Sequence, residues 1–400
     1  MRQFYIFLIN AVLVSVLDLI DSAFGNSISV DSICVLSAFT IIYWTINVIC
    51  RAGEYAYKIK MGDESNCLAL NIISTAICSI ILILGRNIIP RLYDLTEVQY
   101  QLFSMCLLYK GIFLMISKLQ SFIYQYITLK CMNKQMITGN IIFYTSMIIT
   151  DAIVVLGKGE CYHLILATGI CDLIVTIYYV VFCQVLKNFK LPDKKGMWDC
   201  FLCAKDLLID RMLGKVATIT FAICASHLGT VLYAIHSVAY TIATSTEEVT
   251  NCLYTNQVVQ LQHITDIKQK HDKSVALAKK MFIPATLVVY IVAILLIIPL
   301  KGDLKFGQVF SFVLMYATQC ILIQLYENYR GFLTSCKTTK VMRYAGLVGI
   351  IVRVPIAIIG GFTPVGIYAF AFGSGIDFLF RGLYYKIESL KIVKKSSIEQ

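Results

Sequence analysis

The chain has 400 residues, of which 58% are hydrophobic and only 15% charged, with a mean hydropathy of +0.74 and a formal net charge of +11. A soluble domain carries about 25% charged residues, so this composition excludes a water-soluble globular protein, and no solvated basic domain exists to engage nucleic acid. Six prolines and 23 glycines suit long helices better than the short alternating segments and many turns of an outer-membrane barrel.

A helix needs about 20 apolar residues to cross a hydrocarbon core of about 30 Å. Twelve such runs lie near 3–23, 30–50, 68–89, 98–126, 136–156, 161–186, 197–226, 229–260, 274–300, 306–335, 340–361 and 364–385. The first is long and lacks an Ala-x-Ala-type cleavage site, so it reads as a span and not as a signal peptide. Between the sixth and seventh lies KNFKLPDKKG, Lys187–Gly196. It is polar, basic and interrupted by Pro192 and Gly196, and it divides the chain into hydrophobic halves, 1–190 and 191–400.

The basic residues test this topology independently. With both termini cytoplasmic, the inner segments hold 22 Lys and Arg and the outer segments five, namely Arg86, Arg91, Lys158, Lys301 and Lys305. Such a bias is the signature of cytoplasmic loops. The halves also echo one another. Asp172 followed by Tyr178-Tyr179 recurs as Asp377 followed by Tyr384-Tyr385, 205 to 206 positions on. The expected fold class is therefore an all-α membrane protein. It has twelve transmembrane helices in two six-helix lobes, related as parallel repeats about an axis along the membrane normal.

Charges inside spans are costly and ask for a partner or a water-filled cavity. The first span holds Asp18 and Asp21, the fifth Asp151, and the sixth Thr168 and Asp172. The seventh carries Lys205, Asp206, Asp210, Arg211 and Lys215, and the eighth Glu247 and Glu248. Glu327 and Arg330 stand in the tenth, Arg353 in the eleventh, and Asp377 and Arg381 in the twelfth. Glu327 with Arg330 reads as an i,i+3 pair, and Lys205, Arg211 and Arg381 as side chains that snorkel to the interface. Asp21 and Asp151 differ, because no basic residue stands near either in sequence. A carboxylate so placed can take a proton or cation from one side and release it on the other.

No GxSxG, HExxH, GxxxxGK[ST] or GxGxxG occurs in a fitting context, so an enzyme is not expected. The 15 cysteines mostly sit in apolar runs and act as small hydrophobes. Cys200 and Cys203 have CxxC spacing without a second pair, and the five histidines form no ligand pattern. No cofactor, metal or obligate protein partner is expected.

Several stretches resemble the multidrug and toxic compound extrusion (MATE) transporters, within the superfamily that includes lipid-linked oligosaccharide flippases. They are DSAFGNSISVDSICVLSAF from Asp21, HLGTVLYAIHSVAYTI from His227, YRGFLTSCKTTK from Tyr329 and VRVPIAIIGGFTPVGIYAFAFGSGIDFLFRG from Val352. The resemblance implies a V-shaped pair of six-helix lobes that export a substrate against an inward proton or sodium gradient. It carries the family's amino-terminal cation site over to Asp21, Asp151 and Thr168. Met147 stands where the family has an asparagine, and the family's second-lobe acids would fall near Gly214–Lys215 and Gln319, none of them acidic. Proton coupling is thus favoured over sodium.

The reading that follows is a plasma (inner) membrane antiporter exporting amphipathic, cationic organic compounds. Glu247, Glu248, Asp210 and Arg353 are its substrate-cavity candidates. A flippase for lipid-linked oligosaccharide or polysaccharide precursors is the alternative. A non-transporting membrane scaffold or receptor is the alternative of another class.

Overall fold

The computed structural model describes residues 3–13, 28–92, 95–187, 189–226, 249–297, 306–361 and 366–396. Among these residues the fold is all-α and contains no strand. The helices gather into two compact units, Ile20–Leu208 and Met1–Leu19 with Ile209–Gln400. The first contains α2 (Val30–Cys50), α3 (Ala52–Ile59), α4 (Glu64–Gly85), α5 (Glu97–Leu129), α6 (Asn133–Leu156) and α7 (Cys161–Ile177). The second contains α1 (Gln3–Leu13), α9 (249–261), α10 (Ile267–Ile297), α11 (Phe306–Ser335), α12 (Lys340–Gly361) and α13 (Ile367–Ser396). The long α8 (Lys194–Ser226) carries the chain from the first unit into the second. Among the described residues seven helices are long and apolar enough to cross a bilayer: α4, α5, α6, α7 with its extension to Phe182, α10, α11 and α12.

Local sequence sets the helix ends. Ser29 caps α2, its hydroxyl accepting from the Ser32 amide at 3.1 Å. Thr96 and Gln99 cap α5 reciprocally, Thr96 accepting from the Gln99 amide and Gln99 from the Thr96 amide. Gln99 also donates to Asp31 Oδ1 at 2.8 Å, which ties the start of α5 to the start of α2. Between these helices lies a core of Val35, Phe39, Leu82, Phe103, Leu107 and Leu114. Cys50, Cys78, Cys106 and Cys161 fill gaps in it as small apolar side chains.

The basic linker is docked on the first unit. The Lys190 amide donates to Ser65 Oγ at 2.8 Å, and the Asp193 amide to Asn66 Oδ1 at 2.8 Å. Asp193 in turn caps α8, its Oδ1 accepting from the Gly196 amide at 2.7 Å while Asn66 Nδ2 donates to its Oδ2. These amide donors hold the Asp193 carboxyl below the usual carboxylate range. Just behind, the Cys67 and Cys200 sulfurs lie 3.5 Å apart, both fully buried. Cys200 thus packs against α4, and no metal-holding cluster occurs among the described residues.

Two helix ends match in detail. α5 closes with Cys131 at φ 56° and α11 with Lys337 at φ 60°, 206 positions on. In both, the following amide reaches back to a carbonyl five residues earlier, Met132 to Ile127 at 3.0 Å and Thr338 to Leu333 at 3.1 Å. Thr128 and Thr334 each bond the carbonyl one turn earlier and touch the sulfur of Met136 or Met342. A left-handed residue at this position is normally glycine. A side chain there costs about 1 kcal/mol. Lys337→Gly and Cys131→Gly are therefore expected to raise the thermal unfolding midpoint of the purified protein, each by a few degrees at most, in a detergent thermal-shift assay.

Candidate functional site

In the first unit the interior acids are held by α3, α5, α6 and α7. α6 buries Asn140, Tyr144, Met147 and Asp151. Their spacing of three and four residues is one face of a 3.6-residue helix. Asp151 is 0% exposed. Beside it, Thr150 Oγ1 donates to its own helix and lies 3.6 Å from Cys171 Sγ of α7. That contact sets Asp151 level with the Thr168–Asp172 stretch. Thr168 itself donates to the Leu164 carbonyl at 2.9 Å. Asp151 and Thr168 thus lie on packed helices of one unit, whereas Asp21, Glu247 and Glu248 lie outside the described residues.

One turn past Thr168, Asp172 meets α5. The helices approach so closely at Gly169 that a Cβ there would stand 2.4 Å from the Phe113 ring. Asp172 is 5% exposed, and Ser117 hydrogen-bonds its carboxylate while the Lys110 and Lys118 ammonium groups act on it. Both lysines are buried, and their Nζ atoms lie 4.5 and 5.7 Å from the centre of the Tyr43 ring of α2. This geometry is that of two cation–π contacts to one ring.

Lys118 also faces Glu54, which is fully buried on α3. Arg51 Nε donates to Glu54 Oε2 at 2.6 Å and Ser121 Oγ to Oε1 at 2.7 Å. Burial pushes the Glu54 carboxyl up, but the charges of Arg51 and Lys118, the Ser121 bond and Lys58 outweigh it and hold the group below the usual range. The sequence reading passes over Lys110, Lys118 and Glu54. Two lysines eight residues apart inside a 33-residue apolar helix were the available signal.

The second unit carries its own charge network. Arg381 of α13 donates from Nη1 to Asp210 Oδ1 of α8 at 3.0 Å and pairs through Nε with Asp377 Oδ1 at 2.9 Å. Arg353 of α12 pairs with Asp377 Oδ2 at 3.6 Å and lies 4.9 Å from the Phe221 ring. The structure thus joins two of the predicted cavity residues, Asp210 and Arg353, through Asp377 and Arg381. Arg381 does not snorkel: its side chain is 8% exposed and committed to two carboxylates. Glu327 and Arg330 form the expected i,i+3 pair at 3.2 Å, with the Arg330 guanidinium 4.7 Å from the Tyr254 ring. Gln319, where an acid was sought, is buried and donates to the Ala371 carbonyl of α13.

No protein-family model matches the sequence, and no curated protein matches it. Solved structures do match. A mutant form of the Vibrio cholerae MATE transporter VcmN superimposes with a TM-score of 0.78 at 13% identity, covering 98% of this chain and 96% of that one. The fold is that of the MATE transporters. A MOP superfamily transporter from Pyrococcus furiosus gives a TM-score of 0.78 at 13% identity over 99% of this chain and 95% of that chain. An outward-facing multidrug resistance MATE family transporter gives 0.78 at 11% over 99% and 95%.

Two outcomes follow from these charge clusters. Removing one member of a buried ionic network leaves its partner uncompensated and costs about 3–5 kcal/mol. Arg381→Leu is therefore expected to lower the unfolding midpoint sharply, and adding Asp210→Leu in the same chain to recover part of the loss. Because the folded carboxyl of Glu54 lies below its unfolded value, its stabilisation is present above the unfolded value of about 4.3. It is lost as pH falls through the folded value. Wild type should lose thermal stability on acidification below about pH 4.3 more steeply than Glu54→Gln, measured by thermal shift across a pH series.

Proposed function

We propose that the chain is a secondary active transporter of twelve spans in two six-helix lobes, 1–190 and 191–400, with both termini cytoplasmic, in a plasma (inner) membrane. It exports amphipathic, cationic organic compounds by proton antiport through alternating access. The observation that carries this reading is Asp151, a carboxylate fully buried in an apolar 24-residue helix of a MATE-type fold. An acid in that position is costly without a task.

In this reading Asp21 takes a proton from outside, Asp151 and Thr168 complete its site, and release toward the cytoplasm resets it. Glu247 and Glu248 attract a cationic substrate by charge pairing. Asp210 and Arg353, each engaged with the Arg381–Asp377 pair, shape the second lobe and leave the cargo's charge to other groups. The proton is the coupling ion, and no cofactor takes part.

A second reading is favoured by the buried lysines of α5. For the Pyrococcus furiosus relative, reverse polarity of the binding pocket suggests a different function. Lys110 and Lys118 give the present first unit a cationic interior of the kind that suits an anionic cargo, such as a lipid-linked oligosaccharide.

The experiment is efflux of ethidium from proteoliposomes with pH and sodium gradients imposed separately. Wild type is expected to export on the pH gradient. Asp151→Asn and Asp21→Asn are expected to lose about tenfold or more of that rate, the scale of a coupling free energy of 1–3 kcal/mol. Transport on neither gradient would remove the cation-export reading and turn the assay to oligosaccharide-lipid cargo.

A further inference from the structure

We propose that Asp172, with Lys110 and Lys118, is a second ion-coupling site of the first unit, where a proton taken up by the Asp172 carboxylate loosens the contact between α5 and α7. The inference rests on the transporter reading and extends its coupling set beyond Asp21, Asp151 and Thr168.

Position is the first argument. Asp172 is the twelfth residue of the 22-residue span Cys161–Phe182, so it stands near the middle of a helix roughly 33 Å long. Lys110 and Lys118 are separated by about 12 Å of helix rise, yet both ammonium groups lie within 6 Å of the same Tyr43 ring. Both face buried carboxylates, Lys110 the Asp172 carboxylate and Lys118 both Asp172 and Glu54. With Asp172 ionised, one carboxylate holds two ammonium groups around one ring. A proton on that carboxylate removes the counter-charge facing Lys110 and one of the two facing Lys118, in a medium that strengthens the repulsion left between the ammonium groups.

Chemistry is the second. The repeat places Asp377 one residue before the position equivalent to Asp172, and Asp377 is bracketed by Arg353 and Arg381. A guanidinium is a fixed planar fork that stays charged under all working conditions, whereas an ammonium is a point charge on a flexible stem. The two units therefore hold an acid of the echoed stretch in different ways, between two guanidinium groups in the second and beside two ammonium groups in the first.

Connection and mechanics complete the case. Lys118 faces Glu54, and Glu54 is bonded to Arg51, whose side chain is 34% exposed. Those groups form a polar chain from Asp172 to the unit's surface. On the other side α6 carries Asp151 next to Thr150, which lies 3.6 Å from Cys171 of α7, and α2 carries Tyr43. Directly after α7, Tyr178–Phe182 form a π-helical turn, a feature that recurs at functional sites. Thr176 donates to the Asp172 carbonyl at 2.7 Å, within the turn before it.

The test is infrared difference titration of the carboxylic-acid C=O band in the purified full-length protein without substrate, beside ethidium efflux from proteoliposomes. Asp172→Asn is expected to remove one titrating component and to cut pH-driven efflux about tenfold or more while ethidium still binds. Lys110→Met should shift the pH profile of transport, and Asp172→Glu should restore transport with a shifted band. An Asp172→Asn titration that superimposes on wild type, or wild-type efflux with a wild-type pH profile, would overturn the proposal. If wild type moves no ethidium on any gradient, the transporter reading fails while the infrared result still decides whether Asp172 takes a proton. Should Asp172→Asn not fold, Asp172→Glu carries the test: an unmoved band and profile would overturn the site.

Discussion

Inside a hydrocarbon slab a charged side chain has no water to turn to, so its counter-charge must come from the protein itself. The interior of each unit is arranged by that demand. In the second unit, Arg381 links α8 to α13 through Asp210 and shares Asp377 with Arg353 of α12. Three helices are thereby fixed in register by charge as well as by packing. In the first unit the same demand is met by lysines, an aromatic ring and the α3 carboxylate. That solution holds α2, α3, α5 and α7 together with fewer fixed protons.

The repeat makes this contrast informative. α5 and α11 end in the same left-handed turn, with a threonine back-bonded at the same place and a methionine sulfur against it. Tyr179 and Tyr385, the second tyrosines of the repeated pair, are both fully buried. Against such matching geometry within one molecule, the cations around the two acids differ in kind and place: lysines on α5 beside Asp172, arginines on α12 and α13 beside Asp377.

The long apolar runs were legible because lipid demands them. The runs read near 30–50, 306–335 and 340–361 coincide with α2, α11 and α12, and buried cysteines behave as composition implies. The Asp-Tyr-Tyr echo was legible because it is local. What stayed hidden is non-local or disguised. Arg381 and Asp210 are 171 positions apart, so nothing near either in sequence names its partner, and a lone arginine in a span reads as snorkelling. α3 is short and carries Glu54 and Lys58, so it passes for a loop until its buried face is seen. Lys110 and Lys118 sit within an otherwise apolar run, where hydropathy averages them away. Among the site residues, Asp151 is both legible in sequence and buried in the structure, because a carboxylate amid isoleucines has few innocent explanations.

The docked linker has a consequence for the integrity of the chain. Leu191 is 96% exposed between lysines, so a protease has an obvious place to cut. Yet the residues that follow are held to α4 by the Asp193–Asn66 bonds and by Cys200 against Cys67. A nick there would sever the covalent thread without freeing the start of α8 from its seat.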